Sequence, residues 1–259
     1  MQRFNYHTHT SRCGHAKGTD EEYILAAIET GYKILGFSDH SPYKWMPLPF
    51  SRMNYKDLDG YISSLTKLKE KYKDQIDIKI GLETEYFPKY REHYEKLRSR
   101  LDYLILGQHF MAPNGTGTFF RYNTPDQIEA YADFICAGLD TGLFTYLCHP
   151  DVFLFHQKVF DETCEKTARK ILEKAVETNT PIEANVHGVR RKTILSPEGK
   201  EEKCYPNRTF WTIASEYPVQ CIYGIDAHDP DDLRDMEALR LAEDIVSGLG
   251  LSFITEPVL

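Results

Sequence analysis

At 259 residues the chain is long enough to bury a full core and to close one β/α barrel. Its 31 basic and 39 acidic residues give a net charge of −8, which argues against general affinity for nucleic acid or membrane surfaces. An anionic substrate stays open, because bound divalent ions would reverse the local field.

The N-terminal Met1-Gln2-Arg3-Phe4-Asn5-Tyr6 carries no apolar signal core, and no run of about 18 apolar residues follows. The cysteines at 13, 136, 148, 164, 204 and 221 are scattered, with no CxxC pair. Reduced thiols and a cytoplasmic protein are expected.

Short apolar runs then alternate with longer amphipathic ones. Phe4–His7 reads as the first strand, and the capping box Thr19-x-x-Glu22 opens a helix that Gly31 can close. Ile34–Asp39 is the second strand and Asn54–Tyr72 the next helix. Ile76–Leu82 and Tyr103–Gln108 are the third and fourth strands, with a charged helix face around His93 between them. A second capping box, Thr124-Pro125-Asp126-Gln127, has proline at the first helical position. Strands follow at Thr145–Cys148, Pro181–Asn185 and Val219–Ile225, and helices at Asp161–Glu177, Asn207–Glu216 and Asp231–Ser247.

These strand runs are continuously apolar, as strands buried on both faces should be. Their alternation with helices predicts parallel βαβ units. Seven strands without a glycine-rich dinucleotide loop favour a barrel over an open sheet. No linker or repeat divides the chain, so one domain over residues 1–259 is expected.

Seven of the ten histidines fall at or just beyond predicted strand ends. His7, His9 and His15 follow the first strand, and His40 the second. His109, His149 and His228 follow the fourth, fifth and seventh. Glu83 ends the third, and Asp226 stands two residues before His228. In a parallel barrel these ends converge on one face, where active sites are built.

Imidazole and carboxylate together suit zinc, iron or manganese. In His7-Thr8-His9, alternate residues of an extended segment point the same way, and Asp226 and His228 repeat that spacing. Nine ligand-type side chains exceed the need of one ion, so two to three divalent ions are expected, with Glu83 as a bridge. A lone histidine at a strand end is more often a hydrogen-bonded structural residue. Recurrence at six of the seven strand ends is what points to metal. His93 is expected to be solvated, and His156 and His187 are open.

The sequence resembles the PHP (polymerase and histidinol phosphatase) family, in its histidinol-phosphate phosphatase branch. The likeness lies in His7-Thr8-His9-Thr10, Cys13-Gly14-His15 and Gly36-Phe37-Ser38-Asp39-His40-Ser41-Pro42. It continues in Gly81-Leu82-Glu83, Asp102-Tyr103, Gly107-Gln108-His109-Phe110, His149-Pro150-Asp151 and Asp226-Ala227-His228. The resemblance implies a distorted (β/α)7 barrel, similar to a TIM barrel, with its metal site at the carboxyl ends of the strands. It implies three metals: His7, His9, Glu83 and Asp226 for the first, Glu83, His109 and His149 for the second, and His15, His40 and His228 for the third. Two residues depart from the usual small ones, Gln108 and His187, and either could reshape the pocket.

The implied chemistry is attack of a metal-bridging hydroxide on a phosphomonoester. The metals would neutralise charge on the phosphoryl oxygens. Asp39 and Asp151 are candidates for protonating the leaving alkoxide, or for orienting the histidines beside them. Arg190 is the expected phosphate grip by family position, with Arg191 and Arg121 as alternatives and His187 at the pocket. Tyr43–Arg52 carries Tyr43, Trp45, Met46, Pro47, Pro49 and Phe50, and either covers the pocket as a lid or packs on the barrel rim. Phe119, Phe120 and Tyr122 are candidate walls.

The implied activity is hydrolysis of L-histidinol phosphate, a step of histidine biosynthesis, by a monomer or homodimer. The alternatives are another small phosphomonoester, such as a nucleotide, and a metal-binding accessory domain without catalysis.

Overall fold

The structure is a computed structural model and describes residues 2–48, 50–121, 123–256 and 259. Parallel pairing begins where the sequence pattern places it. β1 (Phe4–Asn5) pairs with β2 (Ile34–Phe37), β2 with β3 (Asp77–Thr84), and β3 with β4 (Tyr103–Leu106). Three helices lie among these strands: α1 (Asp20–Glu29), α2 (Leu58–Tyr72) and α3 (Arg91–Arg98). Thr19 and Glu22 cap α1 reciprocally, as their spacing predicts.

α4 (Pro125–Leu139) opens on the Thr124 and Gln127 capping box, and α5 (Glu162–Glu177) on Asp161. β5 (Ile182–Asn185) follows, then a hairpin of β6 (Thr193–Leu195) and β7 (Glu201–Lys203). α6 (Arg208–Ala214) is capped by Asn207. β8 (Gln220–Gly224) pairs with β5 in parallel, α7 (Met236–Val246) follows, and β9 (Ser252–Phe253) pairs on the other side of β8. The last expected helix is divided: Pro230–Leu233 is a 3-10 turn, and Asp235 caps α7.

The expected fifth strand, Thr145–Cys148, bonds to its neighbours without a regular ladder. Leu147 forms parallel bridges with Leu106 and with Ile182. Thr145 N–H donates to Leu104 O at 2.8 Å, and Glu183 N–H to Leu147 O at 2.9 Å. This segment carries the curl of the sheet from β4 to β5.

The remaining seam, between β8 and β1, is closed partly by side chains. Ala227 and His7 share one backbone bond of 3.2 Å, and His9 N–H donates to Ala227 O at 2.9 Å. Below them Asn5 Oδ1 accepts from Ile225 N–H at 2.9 Å. Gln2 both donates to Tyr223 O, at 2.7 Å, and accepts from Tyr223 N–H, at 3.1 Å. Amide side chains thus stand in for ladder bonds where the strands splay, which is the distortion of this (β/α)7-like barrel.

Two apolar layers flank the cylinder wall. The larger core packs the helices on the outside. Inside, Phe4, Tyr6, Ile34, Tyr103, Ile105, Tyr146, Cys148 and Ile222 form a plug. Tyr103 crosses it and donates its hydroxyl to Tyr6 O at 2.6 Å. Any Cβ at Gly36 would fall 2.4 Å from that hydroxyl, so glycine is needed there for space.

The segment after His40 packs mainly on the rim. Tyr43 and Met46 are buried, and Trp45 stacks on Tyr90 at 3.7 Å and 3°. Pro49 lies outside the described residues. His93 is not solvated as expected. It is half-buried against Tyr43, Trp45 and Tyr94, because the rim aromatics cover that face of α3.

Asn5→Ala should cost roughly 1–3 kcal/mol in urea unfolding, because it strands the Ile225 N–H at the seam. Burial, with help from Lys96 and Lys44, holds His93 down at about 4 against an ordinary 6.5. The unfolded chain therefore takes up the proton first, and stability falls as pH drops from about 6.5 toward 4. His93→Phe should lessen that acid loss in thermal melts recorded across this range.

Candidate metal centre

All nine expected ligands meet at the carboxyl ends of the strands. His15, His40, Glu83, His109, His149, Asp226 and His228 border a cavity of about 400 Å³. His7 and His9 lie beneath them, fully buried. The barrel accounts for this meeting, since each side chain leaves its strand end toward the axis.

Glu83 occupies the middle. Its Oε1 is 2.8 Å from His149 Nε2 and 3.1 Å from His109 Nε2. Its Oε2 is 2.8 Å from His40 Nδ1 and faces the Nε2 atoms of His7 and His9 at 3.8 and 3.7 Å. The two oxygens thus serve two sets of imidazoles, as a bridging carboxylate must. Asp226 Oδ1 stands 3.4 Å from His7 Nε2 and 3.0 Å from His9 Nε2. His15, His40 and His228 form a further group with ligand atoms in mutual reach, joined to Glu83 through His40.

His149 Nε2 is hydrogen-bonded to Glu83 Oε1, but the atoms deeper in the cluster are not satisfied this way. The Nε2 atoms of His7 and His9 and Glu83 Oε2 are buried without a hydrogen-bond partner. At one pair the neutral tautomers set lone pair against lone pair. His228 Nδ1 donates to Asp226 O and His15 Nδ1 to Cys13 O, yet their Nε2 atoms stand 3.1 Å apart. In the second group His109 Nδ1 meets Glu85, and the Nε2 atoms of His109 and His149, both turned to Glu83 Oε1, are 3.3 Å apart. Nitrogens bound tetrahedrally to one zinc ion at about 2.1 Å would lie roughly 3.4 Å apart. The residues fit divalent ions.

Protonation energetics agree. Burial works against charge on His9 and His109, but Asp226 and Glu83 outweigh it and push them up to about 9 and about 10. Burial and repulsion from His9 push His40 down to about 3. The buried Glu83 carboxyl is held well below the usual range by His109 and His40. Such a cluster calls for positive charge beyond what protons can place on every ring.

The backbone is bent to serve the site. His149 and Asp226 have φ of +30° and +54°, in the left-handed region that non-glycine residues avoid. Glycine makes room for two carboxylates: a Cβ at Gly107 would fall 2.2 Å from Glu83, and one at Gly224 would fall 2.0 Å from Glu183.

Several supporting residues escape a search for strand-end ligands. Glu183, inside apolar β5, accepts from His7 Nδ1 at 2.9 Å, and Asn185 donates to both Glu183 and Asp226. Glu85 accepts from His109 Nδ1 at 3.0 Å and pairs with Arg52. Cys148 lies 3.3 Å from Glu83. A carboxylate within a buried apolar strand, and the alternation Glu83-Thr84-Glu85, were the available signals.

Other expected positions are corrected. Asp39 is buried behind His9, 3.7 Å from its Nδ1, and accepts from Thr10 and from His40 N–H. Asp151 is buried too and accepts from Asn207 N–H at 2.8 Å, tying its turn to α6. Neither is among the residues bordering the cavity, so geometry gives neither a path to a leaving group. Burial pushes Asp151 up to about 7.

Arg190 points away, pairing with Asp235 at 2.6 Å and Asp232 at 3.3 Å. His187–Arg190 is a 3-10 turn and Arg191 resumes extended backbone, so the neighbouring arginines diverge. Arg191 and His187 border the cavity. Arg121 is exposed and outside that lining. Gln108 is engaged with Tyr86 N–H and Phe110 O rather than with the cavity. Phe120 is a wall, stacked on His109, whereas Phe119 packs in the core on Tyr131. Tyr122 lies outside the described residues. His156 sits at the surface side, 3.0 Å from Lys192.

Comparison with known proteins agrees with this geometry. The PHP domain family matches residues 5–187. The chain belongs to the PHP family. A Deinococcus radiodurans protein named "Probable histidinol-phosphatase" is 26% identical to this PHP chain over 258 residues, covering 92% of each. Histidinol-phosphatase of Bacillus subtilis is 30% identical over 133 residues, 48% of this chain and 50% of that protein. The Lactococcus lactis histidinol phosphate phosphatase, solved with zinc, L-histidinol and phosphate, shares the fold of this PHP chain. The TM-score is 0.75 at 16% identity, covering 98% of this chain and 95% of that one.

Zinc should raise the melting temperature of the wild-type chain, and Glu83→Ala should abolish that rise in a scanning-fluorescence melt. Glu183→Gln should weaken zinc binding about 10–100-fold, measured by chelator competition, because His7 loses its anionic partner.

Proposed function

We propose that this chain is a metal-dependent phosphomonoesterase that hydrolyses L-histidinol phosphate to L-histidinol and phosphate. The observation that carries the reaction class is the set of orphaned nitrogen and carboxylate atoms of His7, His9 and Glu83 beneath an open cavity. The substrate is supported by the near full-length likeness to the Deinococcus relative.

His7, His9, Glu83 and Asp226 would hold one ion, Glu83, His109 and His149 a second, and His15, His40 and His228 a third. Zinc, iron and manganese all suit these donors. Bound ions supply Lewis acidity toward phosphoryl oxygens and lower the pKa of water toward about 7.

The chain's own residues do the rest. Glu83 keeps two imidazole sets at fixed separation. Arg191, in the cavity wall, supplies a planar cation for phosphate oxygens, taking the part expected of Arg190. Phe110, Phe120 and Tyr205 in the same wall offer apolar faces to an imidazole-sized leaving group and exclude water from it. Phe50, 81% exposed at the cavity mouth, stands where a substrate would cover it. Asp39 orients His9, and Asp151 anchors the turn after His149 to Asn207.

His187 in the wall favours a second reading, a nucleotide or another small phosphomonoester. The described residues contain no helix long and apolar enough to cross a membrane. The free cysteines support the expected cytoplasmic location. A monomer or homodimer of one domain over residues 1–259 remains our reading.

Steady-state rates on a panel of phosphomonoesters test the proposal. Histidinol phosphate should give the highest kcat/KM, and no preference for it over a generic aryl phosphate would overturn the assignment. Arg191→Ala should raise KM about 10–100-fold at unchanged metal content. Arg190→Ala should change kcat/KM less than Arg191→Ala does.

A further inference from the structure

Arg52 ends the rim segment that begins after His40, and Glu85 lies just beyond β3. Both side chains are buried. Arg52 grips the carboxylate with its fork, Nη2 to Oε1 at 2.8 Å and Nη1 to Oε2 at 3.1 Å. Nη1 also donates to Ser41 O at 2.8 Å, one residue past His40. The gripped Oε1 accepts from His109 Nδ1 at 3.0 Å. The guanidinium lies 5.0 Å over Tyr43 and 5.3 Å over Phe110, and it borders the cavity.

A buried ion pair is seldom a net source of stability, because desolvation offsets its attraction. This one does something else. A bidentate fork fixes the plane of a carboxylate, and that carboxylate fixes one tautomer and one rotation of the imidazole. Phe120 closes the remaining freedom by stacking on the same ring at 5.3 Å.

We propose that Arg52 and Glu85 are a positioning pair, holding His109 Nε2 toward Glu83 and tying the 43–52 segment to that ring. The proposal rests on the metal-site reading above. Coupling of this kind is reciprocal. An ion held by Glu83, His109 and His149 quiets the segment that bears Phe50, and order in that segment strengthens the ion's hold. Lysine would keep the charge but lose the fork.

The test uses the metal-free full chain and zinc alone, without substrate. Zinc affinity is read by competition with a chromophoric chelator, and backbone order by hydrogen exchange across residues 43–52. Zinc should slow exchange there in the wild type. Arg52→Lys and Arg52→Met should weaken binding of one ion about 10–100-fold and remove that protection. Should Arg52→Met fail to fold, Arg52→Met/Glu85→Gln leaves no lone buried charge and keeps an acceptor for His109. This double variant should fold, bind zinc, and show no zinc-dependent protection of the segment. Folded Arg52 variants with wild-type zinc affinity and wild-type protection would overturn the proposal alone. A wild type that binds no zinc would overturn it together with the metal-site reading.

Discussion

Glu83 is a fully buried carboxylate whose near neighbours are imidazoles, and the site is organised by the need to compensate it. An isolated buried anion is strongly unfavourable, so something positive must accompany it. Protons can sit on some of the surrounding rings, but His40 and His228 are pushed down while His7 and His109 are pushed up. The rings cannot all be cations together at these distances. Divalent ions resolve the conflict, since one ion can be shared by several neutral imidazoles and a bridging carboxylate. The space that Gly107 leaves beside Glu83 is part of the same constraint.

Around that centre runs a ring of carboxylates that are not themselves at the cavity. Glu183 holds His7, Glu85 holds His109, and Asp39 faces His9. Each fixes the Nδ1 side of an imidazole, or faces it, so that the Nε2 side turns inward. The barrel makes this possible, because a supporting acid in or just beyond one strand reaches a ligand at the end of another. Left-handed backbone at His149 and Asp226 shows that the chain accepts local strain to aim these two side chains.

Much of this was legible in the sequence. Continuous apolar runs and capping boxes located the strands and helices, because burial on both faces and reciprocal caps leave strong local patterns. The nine ligands were legible because strand ends converge whatever the loops do. What escaped depends on side-chain direction or on distant partners. Arg190 and Arg191 are neighbours in sequence, and only the 3-10 turn sends one to Asp235 and the other to the cavity. Gln2 and Asn5 read as ordinary polar residues until the splayed seam shows which N–H groups they satisfy. Asp39 sits beside His40 in sequence but behind His9 in space, and Asp151 sits beside Pro150 and His149 but is engaged by Asn207. Arg52 and Glu85 lie 33 residues apart and share no local signal.

The central claim is that Glu83 is shared between ions rather than merely surrounded by protonated histidines. Anomalous diffraction at the zinc edge, from crystals of the wild-type chain grown with zinc, addresses it directly. Separate peaks on the two sides of the Glu83 carboxylate are expected, one against His7, His9 and Asp226 and one against His109 and His149. Density for Glu83 without any anomalous peak beside it, in crystals with zinc present, would contradict the claim.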